Sequence, residues 1–264
     1  MSNKIFHLSR LKNISFIGAG NVAEHLARRL FESGCNLLQV YSPTRTNAPR
    51  IADQFEAQLV DDLSELSSDN DLVIVAIPDD AISKATTAIP RGIPVVHTSG
   101  SVNINVLSRS ESYGVFYPLQ SLKSGQTNHE TIVPILIEAS DPDFEKQLTE
   151  LASLISNHIS VCTSENRRKL HLAAVMVNNF TNHLYTVAEN YCEQSKVDFG
   201  LLKPLIFETA KKVQENSPAS LQTGPAMRND NLIIAQHLAM LENDPTMNEI
   251  YRMMTQHIKN YPHQ

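Results

Sequence analysis

The sequence has little of what a membrane-spanning or nucleic-acid-binding protein needs. Its longest apolar runs, Leu72–Ile77 and Leu172–Val177, hold six residues each, whereas a transmembrane helix needs about 20. The chain carries 22 Lys and Arg residues against 28 Asp and Glu residues, so it has no basic excess for nucleic acid or an anionic membrane. These shortages predict neither a membrane nor a nucleic acid among its partners.

Cysteine is also scarce. Cys35, Cys162 and Cys192 are far apart and odd in number, which fits neither a disulfide framework nor a metal-binding box. We therefore expect no metal site and interpret each as a small buried thiol. The first 13 residues lack the apolar core of a secretory signal, so a cytoplasmic location is expected.

What the sequence does contain is an alternation of strand and helix patterns up to about residue 140. Strands are predicted over residues 13–17, 37–41, 72–77 and 132–137, with amphipathic helices between the early ones. Beyond that point the spacing is helical, most continuously over residues 166–194. The predicted fold is α/β: a Rossmann-like doubly wound parallel sheet over residues 1–158, followed by an all-α domain over residues 159–264.

The strongest chemical signal is the segment Gly18–Ala23, with a strand before it and a helix after it. In a dinucleotide-binding turn Gly18 permits the tight bend, Gly20 lets a pyrophosphate approach the backbone, and Ala23 allows close helix packing. Free N–H groups at the helix start then bind phosphate. A glycine-rich turn without a ligand is the alternative. The predicted cofactor contacts here are Gly18, Ala19, Gly20, Asn21 and Val22.

The second strand indicates which dinucleotide binds. NAD-binding versions place an acid about 20 residues downstream to hold the ribose 2′-hydroxyl, but no acid occurs between Ser33 and Ala52. Ser42, Thr44 and Arg45 stand there instead, and hydroxyls with a guanidinium suit a 2′-phosphate. NADP(H) is therefore the predicted cofactor, with Arg45 as a solvated loop cation the alternative.

Later strands end in residues suited to the ligand crevice, since strand carboxyl ends face it in such sheets. Ile77 and Pro78 are predicted to lie against the cofactor, and Thr98 and Ser99 to line the nicotinamide. His97 is either a proton donor or a structural histidine.

The long helix after the α/β region is the predicted catalytic wall. His171 and Asn178 are two turns apart and share a face of an α-helix, and Asn179 follows. A reductase needs a proton donor and amides to hold a carbonyl or imine, which makes these three the candidate catalytic residues. A polar stripe bonded to the other domain or to a second subunit is the alternative. Arg228 is a candidate for binding a substrate carboxylate or for a salt bridge in a structural turn.

Five segments together resemble a known group of proteins. They are the turn at 18–23, VAIPDDAI at 75–82, HTSG at 97–100, YPLQSL at 117–122 and KLHLAAVMVNNF at 169–180. The resembled proteins carry a Rossmann-like domain followed by a helical domain of unassigned function, and are commonly described as NADP oxidoreductases. They are similar to pyrroline-5-carboxylate reductase, the deazaflavin-dependent NADP oxidoreductases and the β-hydroxyacid dehydrogenases. The resemblance extends from about residue 13 to residue 258.

The resemblance implies further site residues. The group's His-Pro-Leu appears here as Tyr117-Pro118-Leu119, so Tyr117 becomes a candidate substrate contact. Its Gly-Pro-x-x-Arg-x-Asp motif falls on residues 224–230 and includes Arg228. The Lys and Asn that β-hydroxyacid dehydrogenases place four apart are represented by Lys169 and Ala173, so their substrate chemistry is not carried over.

The sequence therefore predicts an NADP(H)-dependent oxidoreductase that transfers hydride to or from a small carbonyl or imine bound between the domains. A non-catalytic NADP(H)-binding sensor or assembly protein is the alternative. The helical domain also carries more apolar side chains than one sheet edge can cover, which predicts a homodimer. Those side chains are Leu201, Leu202, Leu205, Ile206, Phe207, Leu232, Ile233, Leu238, Met240 and Leu241.

Overall fold

A computed structural model describes residues 10–123 and 133–262. The chain forms two compact units, residues 1–179 and 180–264. The domain limit at residues 158/159 stays a prediction. The predicted strand start at Ile132 lies outside the described residues.

The first unit is built on a sheet of eight strands in the described residues. The strands are β1 Asn13–Ile17, β2 Asn36–Tyr41, β3 Gln58–Val60, β4 Leu72–Val75, β5 Val95–His97, β6 Tyr113–Pro118, β7 Ile135–Ala139 and β8 Ile159–Val161. Their order across the sheet is β3-β2-β1-β4-β5-β6-β7-β8. Within the described residues neighbouring strands pair in parallel, except β6 with β7.

Helices cover both faces of this sheet. The helices of this unit are α1 Asn21–Glu32, α2 Ala48–Gln54, α3 Asp79–Ala88, α4 Pro142–Ser153 and α5 Ser164–Ala174. Successive residues of a strand face opposite sides of the sheet, and β4 therefore contacts helices on both. Leu72 and Ile74 point into one apolar cluster, which contains residues of α1, α2 and α4. Val73 and Val75 point into the other, which includes Ile82 of α3.

The Rossmann-like fold is thus confirmed, with one correction to the predicted parallel sheet. β6 and β7 are antiparallel, with Tyr117 opposite Leu136. Antiparallel neighbours need no crossover helix, and the sequence shows no helical pattern between these strands. The three-residue strand β8 was not predicted, because three residues are too few to show a periodicity.

The second unit is helical, with α6 Thr181–Gln194, α7 Lys203–Lys212, α8 Asn231–Met240 and α9 Pro245–Asn260. The single helix predicted over residues 166–194 is interrupted by a π-helical segment, Val175–Phe180. In the described part of the chain no helix is both long and apolar enough to cross a bilayer.

Candidate functional site

The turn between β1 and α1 requires glycine at its first position. Gly18 has a φ of +112° and its N–H donates to the carbonyl of Tyr41 at 2.8 Å. A Cβ atom at this position would lie 2.1 Å from the carbonyl oxygen of Ala76, well inside van der Waals contact. The backbone is therefore fixed at the point where β1, β2 and β4 end.

The start of α1 is open for a ligand. Gly20 precedes the helix with no side chain capping it, and a Cβ placed there would meet nothing within 4 Å. The first N–H groups of an α-helix have no partner within the helix and attract anions together with the helix dipole. The turn therefore fits a phosphate group.

A cavity of about 1010 Å³ extends from this turn along the carboxyl edge of the sheet. Such a volume is at the upper end of small-molecule and cofactor sites. Most of the sequence-predicted site residues line it, namely Gly18, Ala19, Gly20, Asn21, Val22, Ser42, Thr44, Ile77, Pro78, Thr98, Ser99, Tyr117 and His171.

The loop after β2 brings hydroxyl groups to the cavity. Ser42 Oγ and Thr44 Oγ1 lie 3.4 Å apart, and both residues line the cavity. Arg45 does not line it. Its guanidinium forms an ion pair with Asp61, and both side chains are more than half exposed.

One face of α3 forms a further part of the wall. Ala81, Lys84, Ala85 and Ala88 follow the spacing i, i+3, i+4, i+7 and all line the cavity. Asp62 and Leu63, which follow β3, line it too. Hydrogen bonds from the Ser64 hydroxyl and N–H lower the pKa of Asp62, so its carboxylate stays charged near neutral pH.

A tyrosine and a histidine meet at the β5–β6 part of the cavity. The Tyr117 hydroxyl lies 3.1 Å from Nδ1 of His171, and the two rings are edge to face at 71°. Burial raises the pKa of Tyr117, and the nearby positive charge of Arg167 opposes part of this rise. The phenol is therefore protonated at neutral pH and can donate a proton.

Gly100 makes the close approach of these two rings possible. A Cβ on Gly100 would lie 2.6 Å from Nδ1 of His171 and 2.9 Å from Cζ of Tyr117. No conformational signal marks Gly100 in the sequence, because the constraint comes from residues distant in the chain.

The loop after β5 is held by buried groups. His97 is fully buried, and its Nδ1 accepts from the N–H of Ser99 at 3.1 Å. Burial, assisted by the charge of Arg167, lowers the pKa of His97 to about 4. His97 is not among the described cavity-lining residues, so the structure favours its structural interpretation.

Arg167 ties this loop to α5. Its side chain is fully buried, and its Nε donates to the carbonyl of Ser99 at 3.1 Å. It also donates to the carbonyl of Val102 and forms an ion pair with Glu138. His171 lies one helical turn later, so both side chains face the same way.

The amides predicted for the catalytic wall lie elsewhere. Asn178 and Asn179 are exposed and belong to the π-helical segment, and neither is among the described residues that line the cavity. A π-turn is wider than an α-turn, so the seven-residue spacing from His171 no longer keeps a common face. Their catalytic role stays a prediction.

Arg228 belongs to the second unit. Its backbone N–H donates to the carbonyl of Gly224 at 3.3 Å. Asp230 caps α8 by accepting from the N–H of Ile233, as a helix-start Asp predicts. The role of Arg228 stays a prediction.

Comparison with known proteins gives matches over both parts of the chain. Residues 13–99 match the family model described as NADP oxidoreductase coenzyme F420-dependent, and residues 133–258 match a domain of unknown function, DUF2520. No curated protein matches at a significant level.

Solved structures are similar over nearly the whole length. The putative NADP oxidoreductase BF3122 from Bacteroides fragilis is 37% identical, with a TM-score of 0.87, covering 95% of this chain and 98% of that one. Protein TM1727 from Thermotoga maritima is 18% identical, with a TM-score of 0.74, covering 94% and 100%.

An imine reductase from Myxococcus stipitatus in complex with NADP+ is 16% identical, with a TM-score of 0.65, covering 94% and 93%. These last two likenesses concern the fold alone. The resemblance drawn from the sequence motifs is confirmed: the chain belongs to the same family as the Bacteroides fragilis protein. In this chain the segment that matches the NADP oxidoreductase model precedes the segment that matches DUF2520.

Proposed function

We propose that the protein is an NADP(H)-dependent oxidoreductase that acts on a small carbonyl or imine substrate. The observation that carries the proposal is a single cavity lined both by the Gly18–Val22 turn and by the Tyr117–His171 pair. A phosphate-binding turn and a proton donor along one sheet edge are what such a reaction requires.

Residues along this cavity would hold the cofactor. The N–H groups after Gly20 would bind the pyrophosphate, the hydroxyls of Ser42 and Thr44 would face the adenosine end, and Thr98 with Ser99 the nicotinamide end. When bound, NADPH supplies the hydride. The chain's own residues orient it and exclude water from the crevice.

The Tyr117–His171 pair would handle the proton. A carbonyl or imine that accepts hydride at carbon needs a proton at oxygen or nitrogen. The Tyr117 hydroxyl would give that proton to the substrate, and the neighbouring imidazole of His171 would restore it from solvent.

Two substitutions test this assignment against a panel of ketones and imines. Tyr117→Phe and His171→Ala should each lower turnover by about 100-fold while NADPH affinity changes less than about twofold. Tyr113→Phe, on the same strand but outside the cavity, and His158→Ala, at an exposed site, serve as matched controls. Turnover within a few-fold of wild type in both site variants would remove the pair from the mechanism.

The same panel separates catalysis from binding alone. Steady NADPH oxidation with any member supports the oxidoreductase. Tight NADPH binding without turnover across the panel supports a non-catalytic NADP(H)-binding sensor instead.

A homodimer is part of the proposal. Apolar side chains of the second unit are strongly exposed, among them Leu201 at 76%, Phe207 at 69% and Leu232 at 71%. Large exposed apolar patches mark contact surfaces, and a second copy would cover them through an isologous contact. Light scattering at micromolar concentration should give twice the chain mass of 29.4 kDa, and a monomer there would refute the proposed homodimer.

The three free thiols suit a reducing compartment, so we place the protein in the cytoplasm.

A further inference from the structure

The cavity is short of positive charge for the ligand proposed above. Lys84 is its one Lys or Arg among the described lining residues, while Asp62 and Asp79 also line it. A 2′-phosphate carries between one and two negative charges near neutral pH, in addition to the pyrophosphate. The helix N-terminus at Gly20 serves the pyrophosphate, so the 2′-phosphate needs a separate partner.

The cation predicted from the sequence is already engaged. Arg45 forms an ion pair with Asp61 and has a left-handed backbone with a φ of +52°. To face the cavity its guanidinium must leave that carboxylate, which offsets part of what a phosphate contact contributes.

Lys84 needs no such rearrangement. Its side chain is exposed on the cavity face of α3, whereas Ile82 and Thr86 on the opposite face are buried. It stands in a row of alanines, Ala81, Ala85 and Ala88, whose single methyl groups leave space for a flat ring.

Leu63 supplies another apolar part of the same wall. An apolar slot with one ammonium group on its wall suits a purine whose ribose carries a phosphate. Lys binds phosphate as a compact point charge with three donors.

We propose that Lys84, rather than Arg45, is the main residue that selects a nucleotide with a 2′-phosphate. The inference rests on the proposed use of NADP(H) and adds the side chain that recognises it. The ammonium group contacts the 2′-phosphate while the alanine face of α3 contacts the adenine ring.

Calorimetric titration of the full chain tests the proposal without any substrate. The probes are NADPH, NADH, adenosine 2′,5′-bisphosphate and 5′-AMP. Lys84→Gln should weaken NADPH and the bisphosphate by about tenfold, the size of one charge-assisted contact near the surface. NADH and 5′-AMP should change less than about twofold. Lys84→Arg, which keeps the charge, should retain most of the affinity for the phosphorylated probes.

Arg45→Gln is the comparison variant. It should weaken NADPH by no more than about threefold, because the wild-type guanidinium is paired with Asp61. A salt titration gives a second readout, since loss of a phosphate contact lowers the dependence of affinity on ionic strength.

Other outcomes overturn the proposal in distinguishable ways. An equal loss for NADPH and NADH in Lys84→Gln would show that Lys84 contacts a part common to both. A large loss in Arg45→Gln with none in Lys84→Gln would return the role to Arg45. Wild type that binds NADPH and NADH equally would refute the proposed cofactor preference as well as the role of Lys84.

Discussion

Replacing the buried Arg167 by Met should destabilise the protein strongly. The side chain is fully buried and donates to the carbonyls of Ser99 and Val102. It also donates to the hydroxyl of Ser164 and forms an ion pair with the carboxylate of Glu138, whose side chain is only 17% exposed. Removing one member of a buried ion pair costs about 3–5 kcal/mol, because the other charge stays buried and unpaired.

The remaining contacts of Glu138 set the size of the effect. Its carboxylate still accepts from the Ser164 N–H at 2.8 Å and from the Ser164 hydroxyl at 2.7 Å. We therefore expect a loss near the lower end, about 3 kcal/mol in the free energy of unfolding. Arg167→Met/Glu138→Leu removes both charges and should lose clearly less than the sum of the single variants.

The same helix offers a matched control. Lys169 pairs with Glu165, and both side chains are about 70% exposed. Lys169→Met should change the free energy of unfolding by no more than about 0.5 kcal/mol, because exposed pairs contribute little. Urea unfolding followed by circular dichroism at pH 7 measures the free energy of unfolding of Arg167→Met, Glu138→Leu, the double variant and Lys169→Met. A cost below 1 kcal/mol for Arg167→Met, or strict additivity in the double variant, would refute the reasoning.

Three further predictions concern pH and backbone geometry. The pKa of His97, lowered to about 4, makes the unfolded state bind more protons between pH 6.5 and 4. The free energy of unfolding should therefore have its full value above pH 6.5 and decrease by about 3 kcal/mol towards pH 4. In the His97→Gln variant, urea titrations at several pH values should show a much smaller decrease. Gly18→Ala should lower the free energy of unfolding by more than about 2 kcal/mol, because the added Cβ clashes with the backbone. Gly34→Ala should lower it by about 1 kcal/mol, because Gly34 has a positive φ but open space around it. Equal losses in thermal unfolding would contradict this prediction. Gly100→Ala should displace the ring of His171 and lower turnover about tenfold at unchanged NADPH affinity, which kinetics and calorimetry together can check.

Local patterns in the sequence determined the strands and helices of the Rossmann-like fold and the glycine turn at one end of the cavity. The continuous apolar run Leu72–Ile77 predicts a strand buried on both faces. In the structure this strand, β4, ends at Val75, and all four of its residues are buried. The Gly18–Val22 turn was found because strand, glycine spacing and helix are adjacent in the chain. Such features depend on neighbouring residues and their periodicity, which a sequence displays directly.

Only the tertiary structure decided which side chains share the cavity. Tyr117 and His171 are 54 residues apart, and nothing local relates them. The sequence offered Arg45 as the cation of the cavity, but a carboxylate following β3 pairs with it, while the face that α3 turns to the cavity brings in Lys84. The seven-residue spacing of His171 and Asn178 places them on one face only in a regular α-helix, and a wider π-helical segment begins at residue 175. Strand order and helix register set these distances, and both depend on packing between segments that are remote in the chain.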